Sequence, residues 1–413
     1  MRRAEVICFV LFVFVCTHAN ARNSKVFANS PGSLQQAIDK TMPGDTLFVQ
    51  KGTYKEHDIH INKRLVIIGD NWPVIDGQNK YQLLTIEHDS VAVIGLQLQN
   101  TGRSSLTDIA AIKLLNANYI TVRNNKLYNN TYGVYLQNAN NNIVDGNIIQ
   151  SNSVDELNSG NGVHAWKSAY LTISNNIISG HRDGIYFEFV TDSHITNNRS
   201  FKNVRYGLHF MFSHRDAYRK NVFMDNGAGV AVMFSKFVEM YDNTFVHNWG
   251  DAAYAILLKE ISDSKIIHNR FIKNTVGIYF EGTSRIQVLN NEFKENGWAM
   301  RVQASCSENN FERNNFESNS FDVATNGTMM LNTFRQNYWD KYDGYDLDKN
   351  RIGDVPYYPV SMYSVVTEKI PAAMILYRSF ITDIMDQVEK ILPSVTPDQL
   401  KDDAPMMKSW NLQ

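Results

Sequence analysis

Asn221-Val222-Phe223, then Gly229-Val230-Ala231-Val232-Met233, then Asn243-Thr244-Phe245: two Asn-x-Phe triplets frame a glycine-led apolar run, and the second triplet repeats the first after 22 residues. The same asparagine recurs at Asn125, Asn147, Asn176, Asn198, Asn221, Asn243, Asn269, Asn291, Asn314 and Asn332, with gaps of 22, 29, 22, 23, 22, 26, 22, 23 and 18. Two positions on stand Leu127, Ile149, Ile178, Ser200, Phe223, Phe245, Phe271, Phe293, Phe316 and Phe334. Glycine-led runs lie between the triplets at Gly133, Gly162, Gly184, Gly207, Gly229 and Gly277. In each run apolar residues alternate with period two, the signature of a strand.

A repeat near 22 residues built of short β runs with Asn and Gly punctuation is a solenoid coil. The Leu/Asn consensus and helical segments of a leucine-rich repeat are absent. A parallel β-helix fits, because stacked asparagines ladder through their amides and Asn or Gly suits tight corners. The chain is therefore expected to be all-β. Ser33–Lys40 reads as an amphipathic helix capping the open sheet edge at the first coil. Strands are expected at 46–49, 65–68 and 91–98, and Ser151–Gly160 as a loop thrown out of one coil. After Asn332 the pattern changes. Residues 337–357 are turn-rich, and an apolar helical pattern from Val360 to Leu392 is interrupted by Pro371. A polar tail follows. The expected organisation is residues 1–21 as a signal peptide, 22–358 as the β-helix and 359–413 as a C-terminal helical segment and tail.

The N-terminal reading rests on Arg2 and Arg3, the apolar run Val6–Val15, and Ala19-Asn20-Ala21, a small-x-small cleavage site. The run is too short to span a bilayer. Cleavage after Ala21 makes an exported chain and takes Cys8 and Cys16 with it. Cys306 is then alone and no internal disulfide forms. With 40 Lys and Arg against 42 Asp and Glu, the net charge is −2. That balance lacks the basic excess of a nucleic-acid binder. Charged residues at 20% and hydrophobics at 43% make a globular chain rather than a disordered one.

Alternation assigns faces. Counting from each glycine, positions +1 and +3 are apolar and face the core. Positions +2 (Tyr135, His164, Tyr186, His209, Ala231, Tyr279) and +4 (Gln137, Trp166, Glu188, Met211, Met233, Glu281) then face outward. Met211 and Met233 fall on successive coils beside His209, with His214 just beyond. Thioether and imidazole donors at such spacing select Cu(I) over hard cations. The competing reading is an aromatic and methionine surface covered by another part of the chain or a partner. A second constellation, Asp346-x-Asp348-x-Asn350 with Asp354, resembles a Ca²⁺ loop. It departs from an EF-hand at Arg351 and Tyr357, and an Asx-bonded turn explains it equally. His57, His60 and His88 show no ligand spacing. A carbohydrate-cleaving β-helix needs paired carboxylates on its outer groove. The outward columns offer only Glu188 and Glu281, on well-separated coils, so no enzyme is expected.

Joint motifs then become specific. Asn337-Tyr338-Trp339-Asp340, Gly344-Tyr345-Asp346-Leu347-Asp348, Ile352-Gly353-Asp354-Val355-Pro356-Tyr357, Leu257-Leu258-Lys259-Glu260-Ile261-Ser262-Asp263-Ser264 and Gly207-Leu208-His209-Phe210-Met211-Phe212 occur in this order. With the Ser33-Leu34-Gln35 start and the Pro371–Phe380 stretch, they closely resemble the NosD family, maturation factors of nitrous oxide reductase. The resemblance implies a periplasmic, right-handed, single-stranded, pectin-lyase-like β-helix. It implies an ABC transporter made of a NosF-like ATPase and a NosY-like membrane subunit, and a NosL-like chaperone supplying Cu(I) for the copper centre of nitrous oxide reductase. On that basis Met362, Pro371, Met374, Leu376 and Phe380 are the expected contact residues for the transporter, giving a peripheral membrane contact. A carbohydrate-active β-helix and a docking scaffold that binds no copper are the alternatives.

Overall fold

The computed structural model describes residues 22–28, 32–104, 106–157, 159–250, 253–327, 331–377, 379–391 and 400–412. The expected signal peptide and its two cysteines lie outside these residues. Three parallel sheets of fourteen, thirteen and twelve strands run the length of the solenoid. Each coil visits the first, second and third sheet in turn, as in Thr121–Arg123, Lys126–Tyr128 and Tyr132–Gln137. Every strand pairs in parallel with its counterparts one coil away. The +1 and +3 side chains fill the interior: Val134, Leu136, Ile185, Phe187, Leu208, Phe210, Val230 and Val232 are fully buried.

The asparagines lie at the corner between the first and second sheets. The backbone N–H and Nδ2 of Asn125 both donate to Oδ1 of Asn147, at 2.9 and 3.1 Å. Nδ2 also donates to the Val93 carbonyl below. The pattern continues coil by coil from Asn147 to Asn314. The residue before each rung takes the left-handed conformation that turns the corner (φ +53° at Asn124, +67° at Gly146, +55° at Asp242). Two residues after each rung a side chain points inward, and from Asn221 onward it is aromatic. Phe223, Phe245, Phe271, Phe293, Phe316 and Trp339 form one stack with ring separations of 5.4, 5.0, 4.7, 4.9 and 4.0 Å.

Two details of the sequence reading are corrected. The rung after Asn314 is Asn337, whose Oδ1 accepts from Asn314 N–H and Nδ2 at 3.0 Å. Asn332 instead serves Asn309 where the chain enters the first sheet, and its Phe334 stacks on Phe311. The last coil carries two Asn-x-aromatic triplets, and only the one 23 residues on matches the coil length. The expected strand 91–98 is two strands, Ala92–Ile94 and Gln97–Gln99, divided at Gly95 (φ +72°).

Both ends are sealed by specific bonds. Helix α1 (Ser33–Lys40) buries Leu34 and Ile38 on the first coil. Glu56, from the neighbouring coil, accepts its free N-terminal donors: Leu34 N–H at 3.0 Å, Gln35 N–H at 3.3 Å and the Ser33 hydroxyl at 3.1 Å. At the far end α2 (Met362–Lys369), a 3₁₀ turn (Pro371–Leu376) and α3 (Phe380–Ile391) follow the last strands. The tail then returns to the solenoid. Asp402, fully buried, accepts from Gln336 N–H, Asn337 N–H, Asn337 Nδ2 and Trp339 Nε1 at 2.9–3.1 Å. It takes the place of the next asparagine, so residues 400–412 pack with the last coil rather than with the helices. Asp402→Ala leaves these buried donors without an acceptor and should cost roughly 3 kcal/mol. Asp402→Asn keeps one acceptor and should cost less. Urea unfolding midpoints of the two variants check the order.

Candidate functional site

The outward face of the third sheet is more closed than its alternation suggests. The +2 residues leave the core, yet Tyr135, His164, His209 and Ala231 are only 6, 8, 5 and 0% exposed. The cause is a second outward column. The residue before each glycine also points out, because the glycine sits at the bend. Tyr132 meets the Tyr135 and His164 rings, Tyr206 meets His209, and Tyr254, before Ala255 at the equivalent position, meets Tyr279. At Gly207 a Cβ would stand 2.7 Å from the Gly229 carbonyl and 2.8 Å from the Phe223 ring.

Asp183, in this second column, organises the centre of the face. It is fully buried and accepts from Arg205 Nε at 2.9 Å and Arg205 Nη2 at 2.6 Å. Burial alone would raise its carboxyl, but bonds and charge from His209 and Arg205 overcome burial and hold it at about 2. His209 lies between the Tyr186 and Tyr206 rings, each 4.9 Å away. Its Nδ1 faces Arg205 Nη2 at 3.5 Å and Asp183 Oδ2 at 3.8 Å. Its Nε2 is buried and has no hydrogen-bond partner. An orphaned imidazole nitrogen is a free donor position for a soft cation.

Met211 follows two residues along the same strand, in register with Glu188 on one side and Met233 on the other. Both methionines are half-buried. Along-strand neighbours on one face are about 7 Å apart and successive coils about 4.8 Å, so His209, Met211 and Met233 share one patch. His214 is carried around the corner toward the first sheet. There its Nδ1 accepts the Lys236 N–H at 3.1 Å. Among the described residues no three His, Cys, Asp or Glu side chains converge to hold a metal ion; Met211 and Met233 set thioether sulfur beside His209.

The acidic loop uses its own oxygens. Asp346 accepts from Asn350 and Arg351 N–H, Asp348 from Asn350 N–H and Nδ2, Asn350 from Ile352 N–H, and Asp354 from Leu347 N–H, all at 2.7–3.1 Å. This is the Asx-bonded turn of the competing reading. Cys306 is buried and free, a small core residue.

At the C-terminal end α2 closes the face. Arg301, a +2 residue, pairs with Glu368 at 2.6 Å, and Tyr363 packs on Phe321. Beyond it, Ile375 (89% exposed), Phe380 (77%), Ile370, Ile381 and Ile384 leave an apolar surface open, with Leu376 at its edge and Met362 and Met374 half-buried. Pro371 begins the 3₁₀ turn.

The comparisons follow this geometry. A family described as "Periplasmic copper-binding protein (NosD)" matches residues 38–156 and 149–344. The chain belongs to the NosD family. A Pseudomonas aeruginosa relative, "Probable ABC transporter binding protein NosD", is 28% identical over 81% of this chain and 82% of its own. Solved structures share the architecture. A Streptomyces thermodiastaticus α-1,3-glucanase catalytic unit matches with TM-score 0.58 at 11% identity, over 80% of this chain and 69% of that one. A Yersinia enterocolitica exopolygalacturonase matches with TM-score 0.54 at 11% identity, over 76% and 79%. An Azotobacter vinelandii mannuronan C-5 epimerase module matches with TM-score 0.53 at 13% identity, over 74% and 95%. At these identities the likeness is one of fold.

Sequence reasoning missed Asp183, Arg205 and the second outward column, although the residue before each glycine carried the signal. It also missed His181. This residue lies before Asn203, Asn226, Asn248, Asn274, Asn296 and Asn319, a second ladder at the corner between the second and third sheets. His181 is fully buried and neither ring nitrogen has a partner. Burial pushes His181 and His164 down to about 4, from an ordinary 6.5. Both rings are therefore neutral in the fold, while the unfolded chain takes up protons below about pH 6.5. Stability is full above that pH and falls progressively as the pH drops toward 4. His181→Asn supplies a ladder amide with no basic group. Its thermal midpoint should exceed that of the wild type at pH 5 by more than at pH 7.5.

Proposed function

We propose that this protein is a periplasmic accessory factor that receives Cu(I) at His209, Met211 and Met233 and works with an ABC transporter in assembling the copper centre of nitrous oxide reductase. The carrying observation is the buried, unpartnered His209 Nε2 two residues from Met211, itself in register with Met233, in a chain of a family described as copper-binding. Copper is cargo here rather than a resident cofactor. The thioether–imidazole set suits Cu(I), which needs few ligands and no hard oxygen. A NosL-like chaperone would deliver it. His214, engaged by the Lys236 N–H, would have to swing to contribute.

The transporter contact is proposed at the helical segment. No described helix is long and apolar enough to cross a membrane. The open surface around Leu376 and Phe380 suits a protein partner such as a NosY-like membrane subunit coupled to a NosF-like ATPase. The relative named as an ABC transporter binding protein supports this reading. A carbohydrate-cleaving reading is less well supported. Glu188 and Glu281 are four coils apart, about 19 Å, whereas a glycosidase pair stands roughly 5–10 Å apart. Glu281 is also paired with Lys259 at 3.0 Å, and Asp183 with Arg205.

In an anaerobic Cu(I) titration against a competing chelator, the wild type should bind one tight equivalent. The double variant His209→Ala/Met211→Ala should lose affinity about 100-fold; equal affinities would leave a docking scaffold. Phe380→Asp, at an exposed position, should keep the fold and lose co-purification with the transporter. That point variant is cleaner than a truncation before Val360, which would also remove Asp402 from the last coil.

A further inference from the structure

We propose that Asp183 is a positioning residue for His209: it turns Nε2 toward the copper patch and accepts the ring hydrogen from Nδ1 when the metal occupies Nε2. The inference rests on the copper reading above. Three observations carry it. His209 Nδ1 faces the Asp183–Arg205 pair, with Arg205 Nη2 at 3.5 Å and Asp183 Oδ2 at 3.8 Å. The opposite nitrogen, Nε2, is buried and unpartnered. The ring is held between Tyr186 and Tyr206, so it cannot turn over freely.

A metal at Nε2 takes the ring's lone pair there and needs the ring hydrogen on Nδ1. Nδ1–H then needs an acceptor, and Asp183 Oδ2 is the one in place. Asp183 thus stabilises the loaded form of the ring, as carboxylates do behind other metal-bound imidazoles. Arg205 anchors the carboxylate through two bonds from the adjacent coil.

The experiment combines a variant with a spectroscopic readout on the full mature chain. Asp183→Asn should remain folded by circular dichroism and bind Cu(I) roughly 10–100-fold more weakly than wild type. Separately, ¹⁵N-histidine spectra of the wild type should show copper on His209 Nε2 and hydrogen on Nδ1 after one equivalent of Cu(I), a placement that a purely structural role would not produce. Should Asp183→Asn fail to fold, the wild-type spectra decide alone. Copper at Nδ1, or unchanged affinity in a folded Asp183→Asn, overturns the positioning role and leaves the copper reading standing. Absence of Cu(I) binding by the wild type overturns both.

Discussion

Each rung of the asparagine ladder joins one coil to the next through side chain and main chain together, and everything else in the structure is placed by that repeat. The Oδ1 of one asparagine serves both the main-chain N–H and the amide of the rung before, and its own Nδ2 reaches a carbonyl in the coil below. A buried amide with these bonds satisfied fixes the corner, whereas an unsatisfied one is costly. The corner in turn sets where the aromatic two residues later must point, so Phe223 to Trp339 stack without interruption. Coils lengthen where the chain passes from the second sheet to the third. The 29- and 26-residue spacings add residues between Ile148–Gln150 and Val163–Trp166 and between Thr244–Val246 and Tyr254–Lys259, and the register of the sheets is unchanged across them.

The same constraint makes one face from residues far apart in sequence. Asp183 comes from one coil, Arg205, His209 and Met211 from the next, and Met233 from the one after. Side chains that leave the core on a stacked sheet have neighbours at about 4.8 Å on both sides. They therefore bury one another, which is why a nominally outward histidine is only 5% exposed and can keep a nitrogen free of solvent.

Much of this was legible in the sequence because the repeat is written in residue types with one structural use. Period two gave the inward columns, and the Asn-x-aromatic triplet gave the corner. Ser33–Lys40 could be read as a cap from its amphipathic pattern alone. The Asn332 assignment failed because two triplets compete in the last coil and only coil length separates them. Asp183 was invisible for a different reason. Alternation across a glycine bend is broken, so a strict period-two count places the residue before the glycine on the wrong face. The partner of Asn337 could not be read locally at all, since Asp402 arrives from 65 residues away.

That long return has a mechanical meaning. The helical segment is not a free appendage at the end of a rod. One of its ends leaves the last coil beside Val323, whose N–H meets the Pro359 carbonyl, and the other re-enters at Asp402. A force applied to the helices is thus divided between two attachment points, one at Val323 in the third sheet and one at Asp402 beside Asn337. It loads the terminal hydrogen bonds together rather than peeling strands away singly, so a pull on this segment would tilt the last coils as one piece before it frayed the tip.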